Sequence, residues 1–358
     1  MNWFHQIPPY SLSREEKERV LLPIFNKLTE FHREHCVAYG SFLQAIGYAV
    51  GDVSSLSDLP FLPVRAFKEL ELKSIPDEKI FKLMTSSGTT GQKTSKIYLD
   101  KENAVLQQKV LLRLLGDFLG TARRPMLVID APSVMGGTEG FGTRRATLVG
   151  LSYAARGMTF ALNDDFSLNF SLVEDFLTRY GQEDFAVFGF TYMVWQYLFQ
   201  DLEAKGERLD FSNGALLTTG GWKKLKDSAV SQEEFKEAGR RICHIGKYVD
   251  HYGMAEQTGS IYAECEYGHL HASIYSDVIV RRAKDFVPCE VGEAGIIQVL
   301  SSLPHSYPGH SLLTEDKGLI LGEDDCPCGR KGKYLKVLGR INQAELRGCS
   351  DTFEGKRA

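Results

Sequence analysis

Helical and buried-strand patterns alternate along the middle of the chain, and this alternation restricts the fold more than any other feature. From Asp100, which can cap a helix, apolar residues recur at helical spacing over 101–119, and an apolar stretch with strand character follows at 126–130. The later elements are strands at 158–162, 185–190 and 215–219, helices at 170–180 and 191–204, and a helix that opens at Ser231–Glu234 with capping-box spacing. Such alternation predicts a layered α/β body with a largely parallel sheet.

The two ends of the chain differ from this middle part. Residues 11–50 have helical patterns, whereas the segment after 257 consists of short strands and turns, which predicts a smaller antiparallel β subdomain. The predicted strands there are 259–264, 270–280, 295–302, 311–320 and 334–338. We therefore expect a body at 1–338, with a helical lead-in (1–80), an α/β core (81–257) and a β subdomain (258–338), and then a hinge and short tail at 339–358.

Composition excludes several classes of partner. With 358 residues and 43% hydrophobic content the chain can bury a large core. Its net charge of -4 differs from the excess of positive charge that is typical of proteins that bind nucleic acid or an anionic membrane surface. No apolar segment approaches the roughly 20 residues that span a bilayer, and the amino terminus lacks a signal-peptide pattern. Seven dispersed cysteines favour reduced thiols. The expected location is the cytoplasm.

A segment rich in hydroxyl groups at 85–96, Thr-Ser-Ser-Gly-Thr-Thr-Gly-Gln-Lys-Thr-Ser-Lys, predicts a site for a polyphosphate. Glycine lets backbone N–H groups turn toward an anion, hydroxyl groups donate hydrogen bonds, and lysine adds positive charge. The spacing does not fit a Walker loop, because Gln92 separates Gly91 from Lys93. Since 96–100 reads as a short alternating strand, the segment is expected to join two strands. The alternative is a flexible surface hairpin.

Further motifs follow in a recognisable order. Thr218-Thr219-Gly220-Gly221-Trp222 ends a predicted strand, and Asp250-His251-Tyr252-Gly253-Met254-Ala255-Glu256 follows it. Leu313-Thr314-Glu315-Asp316 and Gly339-Arg340 come later. With the hydroxyl-rich segment, this order resembles the adenylate-forming superfamily of acyl-CoA synthetases, luciferases and adenylation domains over residues 80–349. SSGTTG at 86–91, YGMAE at 252–256 and CPCG at 326–329 are most similar to acyl-protein synthetases of bacterial fatty-acid reductase systems and to phenylacetate–CoA ligases.

The resemblance implies roles for named residues. Glu256 would hold the Mg²⁺ that bridges phosphate oxygens of ATP, Asp316 would bind the ribose hydroxyls, and Arg340 would mark the hinge. The residues that would hold the β and γ phosphates are Ser86, Ser87, Gly88, Thr89, Thr90, Gly91 and Lys93. The residues that would lie beside the adenine and acyl groups are Gly220, Gly221, Tyr252 and Gly253. Apolar residues that suit a fatty or aryl group are Phe141, Phe188, Phe190, Tyr192 and Trp222.

The chain also departs from the superfamily pattern. Ala255 stands where a Thr or Ser hydroxyl usually contacts the α-phosphate, and the usual carboxy-terminal domain with its catalytic lysine is expected to be nearly absent. Acyl-protein synthetases are similar in having a cysteine near the carboxy terminus that receives the acyl group, and Cys349 beside Arg347 occupies such a position. The alternative for Cys349 is an incidental thiol.

Cysteine and histidine spacing predicts a structural Zn²⁺ site. Cys326 and Cys328 form a C-x-C turn, and Cys265 with His271 can complete a Cys₃His set. His269 could replace His271.

The resemblance implies an ATP- and Mg²⁺-dependent ligase. It would convert a small carboxylic acid to an acyl adenylate with release of pyrophosphate. The acyl group would then pass to a thiol of Cys349, of a carrier protein or reductase partner, or of CoA. One alternative is a noncatalytic nucleotide or acyl-binding subunit, because Ala255 replaces a phosphate donor. A kinase is disfavoured, because a loop between two strands offers no helix amino terminus to the phosphates.

Overall fold

A computed structural model describes residues 6–49, 51–86, 93–136, 143–222 and 229–341. Two sets of predicted site residues lie outside these ranges: Ser87, Gly88, Thr89, Thr90 and Gly91 of the hydroxyl-rich segment, and Phe141 and Cys349. No helix in the described ranges is long and apolar enough to cross a membrane. The structure has a mixed α/β fold.

The elements are numbered here in chain order. The α-helices are α1 Arg14–His35, α2 Val37–Ala45, α3 Ala66–Glu69, α4 Lys101–Leu119, α5 Thr143–Ser152, α6 Phe170–Tyr180, α7 Thr191–Val194, α8 Gln200–Lys205 and α9 Gln232–Cys243. The strands are β1 Leu62–Pro63, β2 Lys82–Thr85, β3 Lys96–Leu99, β4 Arg124–Val128, β5 Ala155–Phe160, β6 Phe185–Phe190, β7 Gly214–Thr219, β8 Lys247–Tyr252, β9 Tyr262–Glu264, β10 Leu270–His271, β11 Ser276–Arg281, β12 Gly295–Ser301, β13 Ser311–Glu323 and β14 Lys333–Arg340. A π-helical segment, Trp195–Phe199, joins α7 to α8.

Contacts divide the chain into two compact units, and neither is continuous in sequence. The terminal unit comprises Met1–Val110, Met254–Tyr262 and His269–Ala358. The central unit comprises Leu111–Gly253 and Ala263–Gly268.

The central unit contains the predicted parallel sheet. Its strands pair in parallel in the order β5-β4-β6-β7-β8, so that their carboxyl ends lie at one edge. Helix α5 packs on β5 and α6 on β4, and β6 is buried along its whole length. The capping box predicted from Ser231 and Glu234 is present at the start of α9. This edge is where ligands bind in open α/β sheets.

The terminal unit contains mostly antiparallel strands. Strands β11, β12, β13 and β14 pair antiparallel in that order, β10 pairs with β14, and the short β1 runs parallel to β13. The single strand predicted at 270–280 is wrong, because a turn separates β10 from β11. In that turn the Ser273 hydroxyl accepts a hydrogen bond from the Tyr275 N–H, and the Ser276 hydroxyl accepts one from the Ser273 N–H. Serine hydroxyls thus replace the ladder hydrogen bonds that a continuous strand would make.

Two buried histidines connect α1 to the loop before β13 in the terminal unit. His32 contacts the Ser74 hydroxyl through Nδ1 at 2.7 Å and the Pro304 carbonyl through Nε2 at 3.1 Å. The His310 Nε2 lies 3.0 Å from the Thr29 hydroxyl, and the two imidazole rings stack with centroids 5.2 Å apart. Burial lowers the pKa of His310 to about 3 and the pKa of His32 well below its usual value. Both rings are therefore neutral in the folded protein.

Lowering the pH from 7 to 5 is expected to destabilise the protein through these histidines. The folded pKa of His310 is about 3 against 6.5 for a free side chain, so below pH 6.5 only the unfolded chain takes up the proton. Stability is therefore full above pH 6.5 and falls with pH toward 3, with a loss of about 2 kcal/mol at pH 5 from His310 alone. Urea unfolding at pH 7 and pH 5 measures this difference. His310→Gln should reduce the difference and the exposed-site control His35→Gln should not; an unchanged difference in His310→Gln would exclude the assignment.

Candidate functional site

Strands β2 and β3 form a hairpin whose neck lies at the ends of the hydroxyl-rich segment. Thr85 pairs with Lys96 in antiparallel register. The Ser95 N–H donates to the Ser86 hydroxyl at 3.0 Å, and the Ser86 N–H donates to the Ser95 carbonyl at 3.3 Å. The predicted strand–loop–strand arrangement is thus confirmed. The two serines hold the described ends of the segment close together.

Lys93, predicted to contact phosphate, forms an exposed ion pair. Its Nζ lies 2.8 Å from Oε2 of Glu69, and 72% of the lysine side chain is exposed. An ion pair this exposed stabilises by about 1 kcal/mol or less. Exchange of the carboxylate partner of Lys93 for a phosphate would therefore cost little free energy.

Glu256 lies in a single 3₁₀ turn, Ala255–Gln257, whose backbone is firmly held. The Tyr307 hydroxyl donates to the Glu256 carbonyl at 2.9 Å and accepts from the Gln107 amide at 3.2 Å. The Gln257 amide donates to the carbonyls of Val299 and Gly309, at 3.1 and 2.8 Å. These bonds fix the direction in which the Glu256 side chain leaves the turn.

The Glu256 carboxyl group is buried near the neck of the hairpin. It is 6% exposed, and burial raises its pKa, while the hydroxyl of Ser95 opposes that shift. Ser95 is itself fully buried. A buried carboxylate is costly unless a cation or another polar ligand completes the site. Ser95 lies within the hydroxyl-rich segment, but no local pattern distinguishes it from the neighbouring hydroxyl residues.

Asp316 and Arg340 lie side by side in the terminal unit. They are register partners on β13 and β14, and the Arg340 Nε lies 3.5 Å from the Asp316 carboxylate. The same guanidinium contacts Glu315 at 3.2 Å. Gly339 has φ +121, a conformation that side chains disfavour, where the register between the two strands shifts. The structure thus brings together two residues that were predicted separately.

The predicted glycine pair follows β7 in the central unit. Gly220 has φ +75, which favours glycine, and its carbonyl accepts a hydrogen bond from the Thr191 hydroxyl at 2.8 Å. A Cβ on Gly221 would meet only open space. Tyr252 is the half-buried last residue of β8, and Gly253 follows it in an exposed position. These four residues therefore share the carboxyl edge of the parallel sheet.

Strands β7 and β8 also carry polar side chains two residues before Gly220 and Tyr252. Thr218 donates to Asp250 at 2.8 Å, and the pKa of Asp250 is raised to about 7 by burial and then by Glu264. Glu264 accepts from Lys236 at 2.8 Å and from Gln232 at 2.5 Å. Burial lowers the pKa of His251 to about 4, so its ring is neutral. The Asp250–Glu264 pairing was not predicted, because no local pattern links residues so far apart.

The aromatic residues predicted for the acyl group have different environments. Phe188 and Phe190 are buried at 1% and 4% exposure, with ring centroids 5.9 Å apart. Tyr192 is half-buried, and Trp222 packs edge-on against Trp195 with centroids 6.0 Å apart. Tyr192 and Trp222 retain accessible surface for a ligand, whereas Phe188 belongs to the core.

The four predicted zinc ligands form a cluster, referred to below as the Cys–His cluster (Cys265, His271, Cys326 and Cys328). Each offers one ligand atom, and these atoms all lie within 4.8 Å of one another. The His271 Nε2 lies 3.4 Å from the Cys328 Sγ, and its buried Nδ1 has no hydrogen-bond partner among the described residues. Burial lowers the pKa of His271 to about 4, so the ring is neutral. His269 instead lies 3.2 Å from the Cys326 Sγ and stacks on Tyr334.

Comparison with known protein families finds a match over most of the chain. The family model described as "Acyl-protein synthetase, LuxE" matches residues 4–357. A long-chain-fatty-acid–luciferin-component ligase from Vibrio harveyi is 22% identical over 96% of this chain and 89% of its own length. The protein of the same name from Aliivibrio fischeri is 22% identical, with 96% and 90% covered.

Solved structures show the same fold. A 2-hydroxyisobutyryl-CoA ligase, solved in an open conformation with 2-HIB-AMP and CoA, superposes with a TM-score of 0.68 at 15% identity. The match covers 93% of this chain and 77% of the ligase. The same ligase in the postadenylation state gives a TM-score of 0.69 at 17% identity. The chain therefore has the fold of these ligases.

Proposed function

Since the chain belongs to the LuxE family of acyl-protein synthetases, we propose that it adenylates a long-chain fatty acid and passes the acyl group to a cysteine thiol. The names of its relatives from Vibrio harveyi and Aliivibrio fischeri favour a fatty acid over an aryl acid. The observation that carries the proposal is the buried Glu256 carboxylate beside the neck of the β2–β3 hairpin. A fatty-acid ligase needs a site of this kind to bind the phosphates of ATP.

In the first half-reaction, a carboxylate oxygen of the acid attacks the α-phosphorus of ATP. The new O–P bond forms as the bond to the pyrophosphate oxygen breaks, and pyrophosphate leaves. Both reactants are anions, so the site must offset their repulsion and align them. The hydroxyl-rich segment, with Ser86, Ser87, Gly88, Thr89, Thr90, Gly91 and Lys93, holds the β and γ phosphates in this proposal.

Glu256 and the Ser95 hydroxyl suit a Mg²⁺ ion. Hard oxygen ligands and a negative charge are what Mg²⁺ prefers, and a bound cation would offset the cost of burying the carboxylate. Mg²⁺ bound there supplies positive charge to the phosphate oxygens. The protein's own contribution is the rigid 3₁₀ turn, which holds the Glu256 side chain ready through the hydrogen bonds of Tyr307 and Gln257.

Nucleoside recognition is assigned to two sets of residues. Asp316 accepts hydrogen bonds from the ribose hydroxyls, and Arg340 orients its carboxylate through the contact described above. Gly220, Gly221, Tyr252 and Gly253 let the adenine and the acyl group approach the backbone at the carboxyl edge of the parallel sheet.

In the second half-reaction, the Cys349 thiolate attacks the acyl carbonyl carbon. The new C–S bond forms, the bond from that carbon to the AMP oxygen breaks, and AMP leaves. Cys349 could pass the acyl group on to a carrier protein, a reductase partner or CoA by a second thiol exchange. Ala255 offers no hydroxyl to the α-phosphate, so another donor must serve there.

The Cys–His cluster suits a structural Zn²⁺. Three thiolates and a neutral imidazole make a closed tetrahedral donor set, and the unsatisfied interior around His271 fits a site completed by a metal. Zinc bound there would connect the turn at 326–328 to β10.

Replacing Cys349 by alanine is expected to separate the two half-reactions. The wild type should exchange labelled pyrophosphate into ATP only when a suitable acid is present, and it should form an acyl-protein that hydroxylamine cleaves. Cys349→Ala should keep the exchange and lose the acyl-protein, because only the acceptor thiol is removed. Cys289→Ala serves as the control thiol. No acid-dependent exchange over a panel of fatty acids would reject the proposed function, whereas an unchanged acyl-protein in Cys349→Ala would reject only the acceptor.

A further inference from the structure

An arginine at the carboxyl edge of the parallel sheet has no role in the function described so far. Arg144, near the start of α5, donates through Nε to Asp130 at 3.1 Å and also through Nη2 to the same carboxylate. Asp130 is 2% exposed and lies two residues beyond β4. The Arg144 side chain is 35% exposed. Among the described residues the hydrogen bonds of this side chain all go to Asp130 through Nε and Nη2, and Nη1 makes none with them.

The guanidinium is fixed on its flat face as well as on its edge. It lies over the ring of Phe166, 5.6 Å from the centroid, and that ring stacks on Tyr197 at 5.5 Å. Phe166 has φ +64, an unfavourable conformation for a large side chain. Tyr197 belongs to the π-helical segment Trp195–Phe199. Strained residues and π-helical segments of this kind are enriched at functional sites.

A short series of neighbouring residues connects Arg144 to Gly220 of the Gly220–Gly221 pair. Tyr192 lies close enough to Arg144 and Asp130 that both affect the pKa of its hydroxyl, which burial raises. Its neighbour Thr191 donates to the Gly220 carbonyl at 2.8 Å. All these residues follow the carboxyl ends of β4, β6 and β7, which are adjacent strands. Arg144 therefore lies at the part of the sheet edge where the acyl group is proposed to bind.

We propose that Arg144 binds the carboxyl group of the acid substrate, and this inference rests on the proposed function. A guanidinium presents N–H groups in a fixed plane that matches a carboxylate. Asp130 occupies one edge of that plane, so the substrate carboxyl accepts hydrogen bonds from the Nη1 side. The contact orients the oxygen that attacks phosphorus and remains possible with the carbonyl of the acyl adenylate. Asp130, Phe166 and Tyr197 act as positioning residues.

The pairing of Arg144 with Asp130 favours this ligand over a phosphate. Because the aspartate already neutralises the arginine, the pair exerts little long-range attraction on a multiply charged anion. It instead offers a directed hydrogen bond at short range, which suits a carboxyl or carbonyl oxygen.

The test compares two nonreactive nucleotide analogues of the most active acid. The acyl sulfamoyl adenosine keeps the carbonyl oxygen, whereas the alkyl ester of AMP lacks it. Arg144→Gln is expected to weaken binding of the acyl analogue about 10- to 100-fold and binding of the alkyl analogue less than about 3-fold. The KM for the acid in pyrophosphate exchange should rise in parallel, with the KM for ATP unchanged. Arg144→Lys should fall between the wild type and Arg144→Gln.

Arg156→Gln provides a matched control in the central unit. Arg156 also pairs with a carboxylate, Glu183 at 2.6 Å, and lies over an aromatic ring, Tyr180 at 5.7 Å, but it stands near the amino end of β5. This variant should bind both analogues like the wild type. If Arg144→Gln weakens binding of both analogues equally, or weakens binding of neither, the inference is wrong while the proposed function still stands. A wild type that binds neither analogue and shows no exchange would instead refute the proposed function, and the inference with it.

Discussion

Replacing Glu256 by glutamine is expected to lower acid-dependent pyrophosphate exchange by about 100-fold or more, with little loss of stability. Glutamine keeps the shape of the side chain but removes the charge on which the proposed Mg²⁺ site depends, and removal of one such electrostatic contact typically costs two to three orders of magnitude in rate. The folded protein loses little, because the neutral amide costs less to bury than the carboxylate, whose pKa burial raises. Exchange rates over a range of Mg²⁺ concentrations, together with thermal unfolding, measure both effects.

Glu323 offers a matched control for this substitution. Glu323 also belongs to the terminal unit and lies at the end of β13, where it is partly buried and burial raises its pKa. Glu323→Gln should retain exchange within about 3-fold of the wild type. Higher Mg²⁺ should partly restore Glu256→Asp, which keeps a carboxylate ligand. Full exchange in Glu256→Gln at every Mg²⁺ concentration would remove Glu256 from the site.

Breaking the Cys–His cluster is expected to destabilise the protein by several kcal/mol. Metal binding to a closed thiolate and imidazole site contributes directly to folding, with about 10 kcal/mol or more in small zinc domains. In a larger unit with its own hydrophobic core, Cys328→Ser should still lower Tm by about 10 °C or more. Protein purified without chelator should contain one zinc per chain, and the variant should contain much less. Elemental analysis and calorimetry measure the two quantities.

The Cys289→Ser variant distinguishes the effect of losing a metal ligand from the effect of losing a thiol elsewhere in the chain. Cys289 is a partly exposed free cysteine outside the cluster, so this variant should keep both its zinc and its Tm. A strong chelator should lower the Tm of the wild type and of Cys289→Ser to about the Tm of Cys328→Ser, and it should leave Cys328→Ser unchanged. Wild-type protein without stoichiometric zinc, or with a Tm that chelation does not change, would contradict the structural role.

Local patterns in the sequence predicted the regular elements well. The predicted helices at 101–119 and 170–180 and the strand at 185–190 agree with α4, α6 and β6, because helical periodicity and a fully buried apolar run are strong local signals. Helix α5 was not predicted, since its polar start Thr143-Arg144-Arg145 follows a glycine-rich stretch of sequence. The division of 270–280 into two strands depends on hydroxyl groups that bond locally, which hydrophobic patterning does not reveal.

In the candidate site, too, local sequence patterns predicted some residues but not the contacts between them. Motif order predicted Glu256 and Asp316, because each occurs in a short distinctive sequence, and cysteine and histidine spacing predicted the Cys–His ligands. The contact between Asp316 and Arg340 depends on strand register, and the contact between Asp130 and Arg144 depends on how α5 packs beyond the sheet. The conformation of Phe166 is set by the turn that contains it. Such features arise from tertiary structure, and a single sequence carries no local signal for them.

The division of the chain into two interrupted units affects how the protein can fold during translation. All segments of the central unit have been synthesised once the ribosome has passed residue 268. The terminal unit must wait, because α1 contacts Pro304 and His310 through His32 and Thr29. Until those residues leave the exit tunnel, α1 exposes a face that is buried in the finished protein. The nascent chain is therefore expected to carry a folded centre and an unfinished amino terminus, a species to which chaperones bind.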